Sequence, residues 1–195
     1  IPQHFNYELI DKILMKYINL TYTIKELRDA CILVCLGYEG IKISELINLF
    51  WKDFIINNQN ATLNICGSRQ RVISINETTM DLLVQYRTAY KQQLCPYIKR
   101  PIENCKIFVS FKGKDTFVPN LHMGRHGVKF VLYEIGTRSR FEYFNSELLR
   151  HYCIERMIRN NMPSEYIMQH LGLRQEGNIA KHRVLLSKNI DEAIM

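Results

Sequence analysis

Several marks of common protein classes are missing from this chain, and each absence narrows the field. The six cysteines, at 31, 35, 66, 95, 105 and 153, form no CxxC pair and no His/Cys cluster with zinc spacing, which argues against a structural metal site. Cys31 and Cys35 would stack on one helix face and read as small buried hydrophobes. No stretch approaches the length of a membrane span, and the N-terminus lacks the basic, apolar and small-residue order of a signal peptide. FKGKDT at 111–116 lacks both the GxxxxGKS/T spacing and the following helix of a phosphate-binding P-loop. No internal repeat or low-complexity tract is present. A reducing cytoplasm is the expected compartment, and nothing points to a cofactor, a membrane or a small-molecule substrate. The chain begins with Ile-Pro rather than Met, so it is expected to be the C-terminal part of a longer protein.

What is present is a chain of 195 residues with 47% hydrophobic content, enough for one substantial core and read as a single domain over 1–195. Lys and Arg exceed Asp and Glu by 26 to 19, a net charge of +7. That balance favours an anionic partner, although the excess is not gathered in one run.

The hydrophobic period changes along the chain from helical to strand-like and back. Residues 6–19 place Leu9, Ile10, Ile13, Leu14, Tyr17 and Ile18 at helical spacing. Thr23 with Glu26 forms a capping-box pattern opening a helix to about Leu36, apolar enough to be a central core helix. Gly37 and Gly40 bracket a turn, and Ser44 with Glu45 predicts a short helix over 44–50. FIINN, ATLNIC and RVISI, separated by NNQN and GSRQ, predict three antiparallel strands between 54 and 75. Helix returns at 77–94, with Met80, Leu83, Val84, Tyr90 and Leu94 on one side. KIFVSF at 106–111 reads as extended, 113–127 as a loop, and VKFVLYEIG at 128–136 as either helix or strand. The last third is helical, with Pro163 suiting the first turn of a new helix.

In this order stand EGIKISEL at 39–46, QRVISI at 70–75, ELLRH at 147–151 and HLGL at 170–173. Together they resemble the boxes of the tyrosine recombinase (phage integrase) catalytic domain, over almost the whole chain. The resemblance implies a mainly α domain with a small three-stranded antiparallel sheet (α+β). It also implies double-stranded DNA as partner and a tyrosine that attacks a DNA phosphate, with arginines, a lysine and a histidine around it.

Carried over position by position, that chemistry is largely substituted. The first arginine falls on Lys42, which keeps charge without the planar fork, and the strand-turn lysine falls on Cys66, with Arg69 nearby. Glu147 replaces a histidine, Arg150 and His151 are retained, Leu173 replaces the histidine of Leu-Gly-His, and His182 occupies the tyrosine position. No tyrosine follows Tyr166. The expectation from sequence is therefore a protein without enzymatic activity that binds DNA by occupancy, as a phage lysogeny repressor would, nucleoid-associated in a bacterial or phage-infected cell. Lys42, Arg69, Arg71, Arg150, His151, Arg174, Lys181 and Arg183 are the expected DNA-facing residues. Trp51 is expected in the core rather than on a base. Three alternatives stay open: a working recombinase with displaced groups, a protein-interaction module, and a helix-turn-helix at 147–172. The C-terminal SKNIDEAIM is a candidate helix for self-association.

Overall fold

A helix that buries nearly its whole circumference organises the molecule. In the computed structural model, which describes every residue except 22, 113–115, 118–121 and 195, that helix is α2 (Ile24–Gly37). The capping box forms as expected: Thr23 N–H donates to Glu26 Oε2 at 2.8 Å, and Glu26 N–H donates to Thr23 Oγ1 at 3.2 Å. The apolar run from Ala30 to Gly37 is buried throughout, Cys31 and Cys35 included. Around it pack α1 (Tyr7–Ile18), α4 (Glu77–Gln93) and α6 (Ser146–Arg159). Asn6 caps α1, accepting from Leu9 N–H at 2.9 Å, and Ile10, Ile13 and Leu14 face inward.

The three predicted strands are β1 (Phe54–Asn57), β2 (Asn60–Ile65) and β3 (Arg71–Ser74), antiparallel in that order. Phe54 pairs with Leu63 and Leu63 with Ile73. Those three residues sit on the core face, whereas Val72 and Ile55 are exposed, as the two-residue period requires. Buried Trp51 packs against Phe54, Tyr86 and Tyr90, joining the sheet to α4.

Tertiary packing corrects two local readings outright, settles one that was open, and bears on part of a fourth. The helix expected at 44–50 is only α3 (Ile43–Leu46), because residues 49–51 pair with 105–107: Ile107 N–H donates to Leu49 O and Trp51 N–H to Cys105 O, each at 3.0 Å. The inward stripe of α4 runs through Leu82, Leu83, Tyr86 and Tyr90, leaving Val84 outside. The ambiguous segment 128–136 is helical, within α5 (Arg125–Arg138), whose buried face is Val128, Val131, Leu132 and Ile135. The expected loop at 113–127 lies partly outside the described residues; β4 (Phe111–Lys112) pairs with β5 (Thr116–Phe117) across it.

Arg28, on the core helix, is buried at 3% exposure. It donates to Val109 O at 3.0 Å and to Asp29 Oδ1 at 2.7 Å, and lies over the Phe111 ring. A buried guanidinium is tolerated only with partners of this kind, and here it ties the 106–111 segment to α2. The C-terminal part forms α7 (Ser164–Leu171) and α8 (Gly177–Ile194). A second, smaller apolar cluster of Cys153, Ile154, Met157, Ile167, Leu171 and Ile179 joins them to α6. No helix among the described residues is long and apolar enough to cross a membrane.

Candidate functional site

The site is built around the end of a short helix. Residues 170, 171 and 172, at the C-terminus of α7, leave carbonyls without intrahelical partners, where the helix dipole is negative. Three arginines take them. Arg71 Nε donates to His170 O at 2.7 Å, Arg150 Nη2 to Leu171 O at 2.9 Å, and Arg69 Nη1 to Gly172 O. Gly172 is left-handed at φ +63, and a Cβ there would meet Arg71 Nη1 at 3.1 Å. Glycine therefore satisfies both the helix end and the close arginines.

Two of these cations have further anchors. Arg71 is held by Glu45, with Nη1 to Oε1 at 2.8 Å and Nη2 to Oε2 at 3.2 Å, and the same carboxylate accepts from Lys42 N–H at 3.0 Å. These bonds outweigh burial and hold the Glu45 carboxyl below its ordinary value. Arg150 Nη1 donates to Gly40 O at 2.6 Å, so one side chain of α6 joins the turn before α3 to the end of α7. An arginine fixed by two carbonyls keeps its remaining N–H donors aimed, an arrangement that stabilises an anion without reorganisation.

Beside Arg150 opens a cavity of about 350 Å3 lined by Lys42, Ser44, Arg125, Lys129, Glu147 and Arg150, among others. Partial burial first, and the Arg150 guanidinium second, lower the Lys42 ammonium from its usual value. Burial likewise lowers Arg150. Among the described residues four cations stand against one carboxylate, a balance that suits this hollow to an anion.

The expected DNA-facing residues separate into groups. Lys42 and Arg150 line the cavity, whereas Arg69 and Arg71 do not line it and bind the carbonyls at the end of α7. Arg174, Lys181 and Arg183 are exposed farther along, with Arg183 donating to Met162 O at 3.0 Å. His151 is not on this surface: its ring is buried between α6 and α8. Its Nδ1 lies 2.9 Å from His182 Nε2, and His182 Nδ1 lies 3.2 Å from Glu155 Oε2. His182 is fully buried. The His182 ring thus lies between the His151 imidazole and the Glu155 carboxylate. Of the other substituted positions, Cys66 is exposed after β2, Glu147 sits in the first turn of α6, and Leu173 packs on the smaller apolar cluster.

Arg125 and Lys129 were not among the expected residues. Arg125 fell in the stretch read as a loop and Lys129 in the segment read as either helix or strand, so the sequence set no shared element for the two; α5 carries both, one turn apart. Tyr152 lies in the core and donates to Asp11 Oδ1 at 2.5 Å. Tyr166, on α7, is partly exposed.

The phage integrase family model matches residues 10–181. The crystal structure of XerA recombinase is similar at a TM-score of 0.71 and 17% identity, over 93% of this chain and 60% of that one. XerH site-specific recombinase bound to difH substrate, in a pre-cleavage complex, matches at 0.71 and 17%, over 94% and 50%. The integrase from mycobacterium phage Brujita matches at 0.58 and 12%, over 92% and 53%. At these identities the likeness is one of fold, and the chain spans half to three fifths of those proteins' length. The matches overturn the expectation, drawn from the substituted positions, of a protein without enzymatic activity: the family and its solved neighbours are integrases and recombinases.

Proposed function

Because the chain belongs to the phage integrase family, we propose that it binds duplex DNA through the cavity between Lys42 and Arg150 and acts on that DNA in site-specific strand exchange. The observation that carries this reading is Arg150, clamped by Gly40 O and Leu171 O at the edge of a cationic hollow. Its fixed donors suit a phosphodiester oxygen, and the surrounding charge would supply affinity without sequence information. The similar XerH recombinase structure is a complex with its difH substrate, which supports DNA as the ligand class here.

Occupancy of an operator, as in a phage repressor, is a second reading. It is favoured by His182, which takes the tyrosine position of the family motif yet is fully buried with both ring nitrogens engaged. The test begins with affinity selection of fragmented source DNA at near-physiological salt. A nicked duplex carrying the enriched sequence is then incubated with the protein and resolved in SDS. A covalent adduct, lost in Tyr166→Phe or in His182→Ala, supports strand exchange and identifies the nucleophile. Selective binding upstream of many genes without an adduct supports occupancy. No enrichment would sink both readings.

A further inference from the structure

We propose that α5 completes the phosphate-binding hollow, with Arg125 and Lys129 facing the same backbone phosphate of duplex DNA as Lys42 and Arg150. The inference rests on the DNA-binding reading and adds residues that the sequence motifs of the site do not include.

Both side chains line the cavity. They stand four residues apart on α5, beside the buried face of Val128, Val131, Leu132 and Ile135, and both are exposed. Their placement disfavours the helix that carries them. Like charges four apart repel, and Arg125 occupies the first helical position, where the macrodipole is already positive and no acidic residue stands in the first turn. The ion pair recorded on α5, Glu134 with Arg138 at 3.6 Å, lies a turn or more beyond them. Among the described residues neither Arg125 nor Lys129 has a carboxylate within ion-pair distance. Gly124, the N-cap, offers no side-chain bond to the first-turn amides.

Among the described residues the single carboxylate lining the hollow is Glu147, which sits in the first turn of α6, where its charge suits that helix's own dipole. Two cations at the wrong end of a helix, a third with a lowered ammonium value and a fourth clamped by carbonyls converge on one space from α3, α5 and α6. An anion there relieves all these repulsions together. A phosphodiester has the charge and the acceptor oxygens to do so, and the positive charge absent at Cys66 and Leu173 is thereby supplied from α5.

The test measures binding of a short duplex by fluorescence anisotropy across a salt series, for the wild type and for Arg125→Gln, Lys129→Gln, Lys42→Gln and Lys91→Gln. Lys91 is an exposed lysine of α4 that does not line the hollow. Each α5 substitution should lower the affinity and flatten the slope of log affinity against log salt, as Lys42→Gln does, by less than the about 0.9 of one whole phosphate contact because the remaining cations still face that phosphate, while Lys91→Gln leaves the slope unchanged. Melting temperatures equal to or above wild type for the α5 variants would show that the loss is one of binding. Arg125→Gln and Lys129→Gln behaving like Lys91→Gln, with Lys42→Gln still impaired, would overturn the role of α5 alone. Wild-type slopes in all four variants would overturn the hollow as the DNA site, and no duplex binding by the wild type would overturn the DNA-binding reading itself. Inorganic phosphate that shifts the Lys129 side-chain resonances as tightly as the duplex does would assign the hollow to free phosphate and overturn the proposal.

Discussion

Acidification is predicted to loosen the interface between α6 and α8 through His151. Burial first and the facing His182 second hold its imidazole down to about 4, against an ordinary value of about 6.5. Between those values the unfolded chain binds a proton that the folded protein refuses. The stabilisation from this group is therefore fully present above about pH 6.5 and is lost as the pH falls toward and through about 4. The gap corresponds to about 3 kcal/mol between the two limits. Glu45 and Glu155 also lie below the ordinary carboxyl value. In each, burial opposes the shift and is outweighed by hydrogen bonds, from Arg71 and the Lys42 amide in one and from His182 and Arg159 in the other. Their contributions also fall in acid, so the wild type alone does not isolate His151. Urea unfolding of the wild type and His151→Asn at several pH values between 7 and 4 does, because the carboxylates are common to both. The stability difference should shrink or reverse by about 3 kcal/mol as the pH falls. A difference that stays constant over this range, or an NMR titration of His151 with a midpoint near 6.5, would refute the reasoning.

Two further outcomes follow from the same geometry. Gly40 has φ +61, and a Cβ there would meet Leu171 and lie 2.9 Å from Cys153 Sγ; Gly40→Ala should destabilise by about 3 kcal/mol through strain and overpacking together, and calorimetry should show a melting temperature lower by roughly 6–12 °C. The Arg71–Glu45 pair is nearly buried, with side chains 9% and 11% exposed; Arg71→Gln or Glu45→Gln should each cost about 3 kcal/mol in denaturant unfolding, and the double variant should cost less than their sum.

The sequence by itself determined the elements whose signals are local. The capping box at Thr23 and Glu26, the apolar run of α2 and the turn residues between three β-prone segments each specify their structure within a few residues, because caps, periodicity and turn chemistry act at short range. Motif order added the family and brought Lys42 and Arg150 into view. Only the tertiary structure decided which charges share a space. Arg69, Arg71 and Arg150 converge because the carbonyls of residues 170–172 end a helix about twenty to a hundred residues away from them in the chain. No spacing rule reads such a pairing. His151 looked like a surface residue beside Arg150 until α8 was seen to cover it with His182. Arg125 was hidden in a stretch read as a loop, and Lys129 in 128–136, whose secondary structure depended on packing against the core rather than on its own period. The end of α3 was set in the same way, by backbone hydrogen bonds to residues 105–107 that outcompete continuation of the helix.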